Sequence, residues 1–293
     1  MPRSQFRRHL PTAQTFQSTL GDVAYWRMSA ADRSAPTLLL LHGWPFNALS
    51  FRNLLPLLQS KFNCVLLDWP GLGESILDQR KADQVNFLSL ADLLHQFLDF
   101  LEETRLVIVA HDTGATIARL ALAKGAPKAS HLICLSTEIP GHHLPLIPRL
   151  QKLFRIPFMP QIYVQLLKLP AVLKSTQGFA KCVTELAHID DDFANCFTRP
   201  LIADHRKRDG MIAYLNGIDW NIVNDLHKTQ AAIMQPTAMI WGANDQVFPI
   251  ELARETSISF GGGCSFFEII GGSFLALEES PKQVYGAIET FLE

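Results

Sequence analysis

The sequence predicts an α/β protein built on a mostly parallel, doubly wound sheet, with a helical cap inserted after the sixth strand. Short apolar runs rich in Leu, Val and Ile alternate along the chain with segments whose apolar residues recur at helical spacing. Continuous apolar runs of this kind are typical of parallel strands buried on both faces. The runs are Leu38–Leu41, Cys64–Leu67, Leu106–Val109, Leu132–Leu135, Ala238–Trp241 and Phe266–Ile270.

Other regular elements fall before and between these strands. Apolar and polar residues alternate near Thr15 to Ser18 and Val23 to Ser29, and this pattern predicts an antiparallel pair at the edge of the sheet. Helical spacing of apolar residues predicts helices at Leu88 to Glu103, Thr113 to Lys124 and Pro281 to Phe291.

The alternation of strands and helices stops after Leu135 and resumes near Pro236. The intervening segment holds many of the prolines and short helical patterns at Ile162 to Leu169 and Asp191 to Phe197. An insertion that leaves the sheet at the carboxyl ends of parallel strands is well placed to cover a ligand site. We therefore predict a core of residues 1–137 and 229–293 and a helical cap of residues 138–228.

The composition restricts the partners and the compartment. The 293 residues are 48% hydrophobic and 18% charged with a formal net charge of -2, so nothing favours a nucleic-acid partner. No run approaches the roughly 18 apolar residues of a membrane span, and Met1 to Leu20 lacks the apolar stretch of a signal peptide. Five scattered cysteines without metal or redox spacing favour reduced thiols. We expect a cytoplasmic monomer or homodimer without metal or cofactor.

One strand-to-helix junction carries a candidate nucleophile. The predicted strand Leu106–Val109 leads into Ala110-His111-Asp112-Thr113-Gly114, and a helix follows at once. A nucleophile elbow has this form, because the nucleophile stands on a tight, strained turn that needs small residues two positions before and after it. Ala110 and Gly114 meet that need. Asp112 is equally suited to the common role of helix N-cap, so the neighbouring segments decide between the two.

Two further turns accompany this junction. His42-Gly43-Trp44-Pro45 follows one predicted strand, and Asp68-Trp69-Pro70-Gly71-Leu72-Gly73-Glu74-Ser75 follows the next. Together with the Asp112 junction they resemble the H-G-x-P, D-x-P-G-x-G-x-S and H-D-x-G segments of α/β-hydrolases, in the branch of haloalkane dehalogenases and epoxide hydrolases. The resemblance covers residues 20–135 and 236–293. It implies an α/β-hydrolase fold, Asp112 as nucleophile, and an oxyanion hole formed by the backbone N–H groups of Trp44 and Thr113.

The chemistry that the resemblance implies is attack on an alkyl carbon. A carboxylate is ionised at neutral pH, so it can displace halide or open an epoxide without a base and leave an alkyl ester on the enzyme. Hydrolysis of that ester needs an activated water, and the family's base is a histidine after the last strand. Gly271-Gly272-Ser273-Phe274 resembles that segment with Ser273 at the histidine position. A serine hydroxyl is no general base near pH 7, so the triad is incomplete.

The acids that would orient the missing base are present. Asp245 matches the family's acid after the preceding strand, and Glu138 matches the alternative acid of some dehalogenases. His111, beside the nucleophile, is expected to point away across the turn. A histidine of the inserted segment could serve as the base instead, and the candidates are His142, His143, His188, His205 and His227.

Two features of the sequence concern the groups that would stabilise a leaving halide or epoxide oxygen. Many members of this branch carry a tryptophan after the nucleophile whose N–H holds a halide, whereas this chain has Thr113 there. Epoxide hydrolases protonate the epoxide oxygen with cap tyrosines, and the inserted segment contains Tyr163 and Tyr214. Packing at the edge of a lid is the commoner role for such a tyrosine.

The sequence thus favours a hydrolase that acts on a hydrophobic small molecule through Asp112, like a haloalkane dehalogenase or epoxide hydrolase, and that is impaired in hydrolysing the alkyl-enzyme ester. The alternative is a catalytically inactive α/β-hydrolase-fold protein that binds a ligand or a partner. An enclosed apolar chamber with Asp112 at its floor favours catalysis, whereas a collapsed pocket favours a structural role.

Overall fold

The computed structural model describes residues 10–103, 105–125 and 128–293. The stretch Met1 to Leu20, where the sequence predicts no signal peptide, therefore lies partly outside the described residues. The described strands form one mixed sheet. They are β1 (Gln14–Ser18), β2 (Gly21–Met28), β3 (Thr37–Leu41), β4 (Asn63–Leu67), β5 (Ile76–Leu77), β6 (Leu106–His111), β7 (Ala129–Leu135), β8 (Thr237–Gly242) and β9 (Cys264–Ile269).

The strand order confirms the predicted fold class. The strands lie in the order β1-β2-β4-β3-β6-β7-β8-β9, and β5 pairs with β2. Pairing is parallel from β4 through β9, whereas β2 is antiparallel to β1, β4 and β5. The antiparallel edge is as predicted. The two-residue β5 is too short to leave a periodic pattern in the sequence, so it was not predicted. Because β5 adds one strand to the count, the helical insertion follows the seventh strand and not the sixth.

Helices flank the sheet and fill the insertion between β7 and β8. No helix among the described residues is both long and apolar enough to cross a membrane. The helices are α1 (Leu55–Leu58), α2 (Phe87–Phe100), α3 (Thr113–Ala123), α4 (Leu146–Leu153), α5 (Met159–Leu166), α6 (Pro170–Leu173), α7 (Asp191–Phe197), α8 (Arg199–Ala203), α9 (His205–Asn216), α10 (Trp220–Asn224), α11 (Leu226–Ala231), α12 (Ile250–Ser257), α13 (Ala276–Glu279) and α14 (Pro281–Leu292).

The local sequence accounts for the elements that hold the site. Every residue of β3, β6 and β8 is buried, as their continuous apolar runs predict. The helix α2 begins at a capping box, in which the Asn86 side chain accepts the N–H groups of Leu88 and Ser89. The helix α3 follows β6 directly and packs on β6 and β7. Burial of the central strands is therefore what fixes the junction between β6 and α3.

The sheet register brings the candidate residues to one edge. Leu41, at the end of β3, pairs with Ala110, and His111, at the end of β6, pairs with Leu135 at the end of β7. Since neighbouring parallel strands end together, the turns that follow β3, β6, β7, β8 and β9 share this edge. These turns carry Trp44, Asp112, Glu138, Asp245 and Ser273.

Candidate functional site

Asp112 stands on a strained turn between β6 and α3. Its φ of 53° and ψ of -136° are unusual for a residue with a side chain, and such a conformation costs about 1–3 kcal/mol unless its surroundings impose it. The turn is held on both sides. The Asp112 N–H donates to the carbonyl oxygens of Leu135 and Ser136, at 3.2 and 3.1 Å, and the Thr137 hydroxyl donates to the Asp112 carbonyl at 2.8 Å. This backbone is the one that the elbow pattern predicts.

Two glycines allow the chain to approach this turn closely. A Cβ atom on Gly43 would lie 2.1 Å from Asp112 Oδ2, and one on Gly114 would lie 2.4 Å from the carbonyl oxygen of His42. Real Cβ atoms do not tolerate such distances, so a side chain at either position would displace the turn. The glycines of the two predicted motifs are therefore required by the spacing between the β3 turn and the β6 turn.

The Asp112 carboxylate is held by both predicted oxyanion-hole residues. The Trp44 N–H donates to Asp112 Oδ2 at 2.8 Å and also reaches the Thr113 hydroxyl oxygen at 3.0 Å. The Thr113 hydroxyl donates to the same Asp112 oxygen at 3.3 Å, while the Tyr214 hydroxyl donates to Thr113 Oγ1 at 3.0 Å. A chain of hydroxyl groups thus runs from Tyr214 through Thr113 to the carboxylate.

Burial makes Asp112 less acidic than the sequence suggests. Burial itself, and then the nearby charge of Glu138, raise the pKa of Asp112 well above its ordinary value, whereas hydrogen bonds from Thr113 and Trp44 act in the opposite direction. The expectation of a freely ionised carboxylate at neutral pH takes no account of this environment. The protonated form of Asp112 therefore persists to higher pH than that of an exposed aspartate.

Asp112 lines an apolar chamber that the helices between β7 and β8 help to enclose. Its free volume is about 90 Å³, below the roughly 300–1,000 Å³ that is usual for ligand pockets. The wall is mostly aliphatic and aromatic, including Phe46, Leu144, Ile147, Phe179 and Phe274. The polar or ionisable side chains among the lining residues belong to Trp44, Asp112, Thr113, Glu138, His143, Tyr163, Cys182 and Trp220.

Glu138 shares the chamber with Asp112 and rests on a buried polar network. Its Oε2 accepts hydrogen bonds from the hydroxyl groups of Thr116 and Thr137, at 2.6 and 3.0 Å. The fully buried Arg119 donates to both threonine hydroxyl oxygens at 2.8 Å and to the Glu138 carbonyl at 3.0 Å. Sequence reasoning missed Arg119, although a signal that could have found it is that Arg119 is the one charged residue of helix α3.

Ser273 does not turn its hydroxyl towards Asp112. The hydroxyl donates to the Cys182 carbonyl at 2.7 Å and contacts the carboxylate of Glu279, and the Leu275 N–H donates to Ser273 Oγ at 3.2 Å. Ser273 is not among the residues that line the chamber. The structure therefore brings Asp112 and Glu138 together but holds Ser273 in contacts with its own loop and with the inserted segment.

Cys182 lies near the acids that would surround a histidine at position 273. Burial, and then the charges of Asp245, Asp112 and Glu279, raise the pKa of the Cys182 thiol, which lines the chamber as an un-ionised group. All five cysteines are free. Sequence reasoning missed Cys182, because the short 3₁₀ turn Ala180–Cys182 carries no motif.

Asp245 is buried behind this region and bonded to its own loop. Its Oδ1 accepts the N–H groups of Val247 and Phe248, at 2.8 and 2.9 Å. Burial raises the pKa of Asp245 to about 7, against the effect of these backbone bonds and of the Ser136 hydroxyl. Asp245 lines a separate, more open cavity and not the chamber that contains Asp112.

We expect Asp245→Asn to make the protein's stability less dependent on pH. Between pH 4 and 7 folded Asp245 keeps a proton that the unfolded chain has lost, so the free energy of unfolding falls as the pH rises through this window. The asparagine does not titrate but its Oδ1 still accepts both N–H groups. Urea denaturation at the two pH values should show the fall reduced by about 1–3 kcal/mol. An unchanged slope, equal to that of the exposed-site control Asp99→Asn, would contradict the effect of burial.

The candidate histidines of the insertion differ in whether they face the chamber that contains Asp112. His143 lines the chamber, with its ring centroid 4.9 Å from that of Trp220. His142 Nε2 lies 2.9 Å from the Val247 carbonyl, and His188 Nε2 lies 4.0 Å from Glu279. His205 and His227 are exposed. His143 is thus the one described histidine of the insertion that faces the same space as Asp112.

His111 is fully buried beside the site and does not line the chamber. Its Nε2 lies 3.1 Å from the Phe274 carbonyl, and burial lowers the pKa of the ring to about 4. The neutral ring packs against Phe274, with 4.6 Å between the ring centroids. This placement agrees with the expected orientation away from the nucleophile. Among the described residues, no group of His, Cys, Asp and Glu is arranged to hold a metal ion.

The tyrosines and tryptophans near the chamber are already hydrogen-bonded. The Tyr163 hydroxyl donates to the Gln177 carbonyl at 2.7 Å, and burial raises the pKa of Tyr163 to about 12. Tyr214 is only 1% exposed and lies beside Thr113, so it is a core residue and not a residue of the lid edge. The indole N–H of Trp44 donates to the Met211 carbonyl at 3.0 Å, and that of Trp220 to Gln151 at 2.7 Å.

Comparison with known proteins agrees with this architecture. The chain is 24% identical over 260 residues to the uncharacterized hydrolase YugF of Bacillus subtilis, covering 88% of this chain and 90% of YugF. It is 25% identical over 319 residues to epoxide hydrolase 4 of Mus musculus, covering 100% and 86% of the two chains. The crystal structure of haloalkane dehalogenase DbeA from Bradyrhizobium elkani superposes with a TM-score of 0.73 at 19% identity, covering 96% and 99%.

The family model described as alpha/beta hydrolase fold matches residues 36–260. This span includes the turn at Trp44, the elbow at Asp112 and the acid Asp245. The match extends over most of the chain. The chain belongs to the alpha/beta hydrolase fold family.

Proposed function

We propose that this alpha/beta hydrolase acts on a small hydrophobic electrophile, an epoxide or a haloalkane, with Asp112 as the nucleophile. The observation that carries the proposal is the position of the Asp112 carboxylate, which lines an apolar chamber and accepts the Trp44 N–H at 2.8 Å. The names of two similar proteins, an epoxide hydrolase and a haloalkane dehalogenase, point to the same chemistry. In this proposal residues 138–228 form the cap and residues 1–137 and 229–293 the core.

The first step is an attack by one oxygen of Asp112 on an alkyl carbon. Its Oδ1 forms the new C–O bond, and either the C–Br bond or an epoxide C–O bond breaks with its electron pair. Asp112 Oδ2 becomes the ester carbonyl oxygen, which the Trp44 N–H already contacts. The Trp44 N–H and the Thr113 hydroxyl would also stabilise negative charge on this oxygen when water attacks the ester.

The second step, hydrolysis of the ester, is the impaired one. It requires a base that removes a proton from water, and Ser273 occupies the position of that base. The Ser273 hydroxyl is committed to the Cys182 carbonyl and Glu279, and an alcohol is too weakly basic for the role. We therefore expect the alkyl ester on Asp112 to form faster than it is hydrolysed.

The hydrogen bonds of the chamber favour an epoxide over a haloalkane. An indole N–H points in one fixed direction, and those of Trp44 and Trp220 are bonded to Met211 and Gln151, which leaves neither for a halide. A tyrosine hydroxyl can turn its hydrogen between acceptors, so Tyr163 in the chamber wall could donate to an epoxide oxygen. The raised pKa of Tyr163 keeps that hydroxyl protonated at neutral pH.

Two observations favour the alternative, a catalytically inactive protein of the same fold. The chamber has a free volume of about 90 Å³, and the raised pKa of Asp112 reduces the fraction of nucleophilic carboxylate. The strained turn at Asp112 argues against it, since ligand binding alone does not require a carboxylate in that conformation.

A comparison of three electrophiles tests the proposed function. We expect 1,2-epoxypropane to alkylate the protein at least tenfold faster than 1-bromopropane, because no indole N–H is available for bromide. We expect styrene oxide to react more slowly than 1,2-epoxypropane, because its phenyl ring needs more room than a methyl group in a chamber with little free volume. The rates are measured by mass spectrometry of the intact protein. Equal or faster reaction of 1-bromopropane would contradict the preference for epoxides, and tight binding without reaction of any compound would favour the alternative.

A further inference from the structure

A second carboxylate, that of Glu138, lines the chamber, and only one of its two oxygens accepts hydrogen bonds from the described residues. Glu138 is 5% exposed and lines the chamber together with Asp112. Its Oε2 accepts the hydroxyl groups of Thr116 and Thr137, whereas no hydrogen bond from any residue in the described ranges reaches Oε1. The carboxylate is therefore anchored through one oxygen, and its other oxygen is available to a water molecule in the chamber.

Thr137 ties this carboxylate to the nucleophile. The Thr137 hydroxyl lies 3.0 Å from Glu138 Oε2 and 2.8 Å from the carbonyl oxygen of Asp112 itself. The electrostatic interaction between the Asp112 and Glu138 side chains also indicates that they are close. The single hydrogen of this hydroxyl can go to only one of the two oxygens at a time, but both lie within hydrogen-bond distance of it, so Glu138 Oε2 is close to the backbone of Asp112.

Arg119 supplies the positive charge behind Glu138. Its guanidinium donates to Thr116, Thr137 and the Glu138 carbonyl, and it attracts the Glu138 carboxylate electrostatically. A buried carboxylate without such a partner would be very unfavourable in this apolar setting. The network thus holds one carboxylate in the wall of the chamber through its Oε2 atom.

We infer that Glu138 is the general base that activates water for hydrolysis of the ester on Asp112, in place of the missing histidine. This inference rests on the proposed function. A water oxygen attacks Cγ of the Asp112 ester while its proton passes to Glu138 Oε1. The bond between Cγ and the alkyl oxygen then breaks, the departing alcohol takes the proton from Glu138, and Asp112 keeps the oxygen of water.

A carboxylate base also explains why this step is slow. A carboxylate is a weaker base than imidazole, so the proton transfer at neutral pH is less favourable than in a complete triad. His143 is the competing candidate, since it lines the same chamber. Its ring packs on Trp220, whereas Glu138 is joined through Thr137 to the backbone of Asp112.

The test follows the decay of the ester in a single turnover. The protein is alkylated with 1,2-epoxypropane, excess reagent is removed, and loss of the added mass is timed in H2O and D2O. We expect Glu138→Gln to form the adduct but to lose it at least tenfold more slowly than the unaltered protein. We expect slower decay in D2O than in H2O for the unaltered protein, because a proton leaves the attacking water in this step. Decay slowed in His143→Gln as much as in Glu138→Gln would instead assign the base to His143. The matched control is Glu255→Gln, which changes an exposed glutamate of α12 and should decay at the unaltered rate.

Each other outcome decides against the inference. Glu138 is not the base if the adduct decays equally fast in Glu138→Gln and in the unaltered protein, or if it never decays in the unaltered protein. Either result leaves Asp112 as the nucleophile. Absence of any adduct in the unaltered protein overturns both the inference and the proposed function. If Glu138→Gln fails to fold, Glu138→Asp serves instead: slower decay supports the inference, and an unaltered rate overturns it.

Discussion

Replacing Asp112 with asparagine is expected to slow alkylation by epoxides at least a thousandfold. An amide oxygen is a far weaker nucleophile than a carboxylate, so the activation free energy should rise by about 4 kcal/mol or more. The asparagine can still accept the Trp44 N–H and adopts the positive φ of this turn more readily than most residues. The rate of mass increase in the intact protein measures the effect.

The same variant should fold at least as stably as the unaltered protein. The raised pKa of Asp112 means that its ionised form is unfavourable in the folded chain, and a neutral asparagine removes that unfavourable charge. Thermal unfolding provides the control. A stable Asp112→Asn variant that still alkylates at the unaltered rate would place the nucleophile elsewhere, and Cys182 would be the next residue to replace.

Introducing a histidine at position 273 is expected to give the largest increase in the rate of ester hydrolysis. A well-placed general base contributes about 10²–10⁴ in rate, and imidazole has the basicity that serine lacks. Cys182 is a neighbour of position 273, because the Ser273 hydroxyl donates to its carbonyl, and its thiol also lines the chamber, so it competes for space with an introduced imidazole. We therefore expect Ser273→His combined with Cys182→Ala to hydrolyse the ester about a hundredfold faster than the unaltered protein.

Two single variants separate the contributions. Ser273→His alone should gain less than the double variant, because the thiol remains in place, and Cys182→Ala alone should gain nothing. Release of the diol under multiple turnover is the measurement. If the double variant folds and is alkylated at Asp112 but hydrolyses the ester no faster, the serine at position 273 is not what limits hydrolysis of the ester.

Much of the fold could be predicted because burial leaves a direct pattern in the sequence. Continuous apolar runs marked β3, β4 and β6 to within a residue or two, since these strands are covered on both faces. The helix α7 begins and ends where its pattern predicts. The helix α5 begins at Met159 instead of near Ile162, because proline is well tolerated in the first turn of a helix, where Pro160 lies.

The site was harder to predict where residues meet through tertiary packing. The elbow and the turn at Trp44 are local, so their spacing in the sequence was sufficient. The contacts of Glu138 with Thr116 and Arg119 join β7 to α3, and those of Ser273 with Cys182 join residues 91 positions apart. The raised pKa of Asp112 depends on burial, which no motif encodes.

The most direct test of Asp112 as nucleophile is peptide mapping after alkylation. The unaltered protein, Asp112→Asn and Ser273→His are incubated with 1,2-epoxypropane at about pH 9. This pH is chosen because the pKa of Asp112 is raised, so that a larger fraction of its carboxyl group is ionised than at neutral pH. We predict one added epoxide on the peptide that contains Asp112, none in Asp112→Asn, and faster loss of the adduct in Ser273→His. No adduct on the unaltered protein, or an adduct located only at Cys182, would contradict the account.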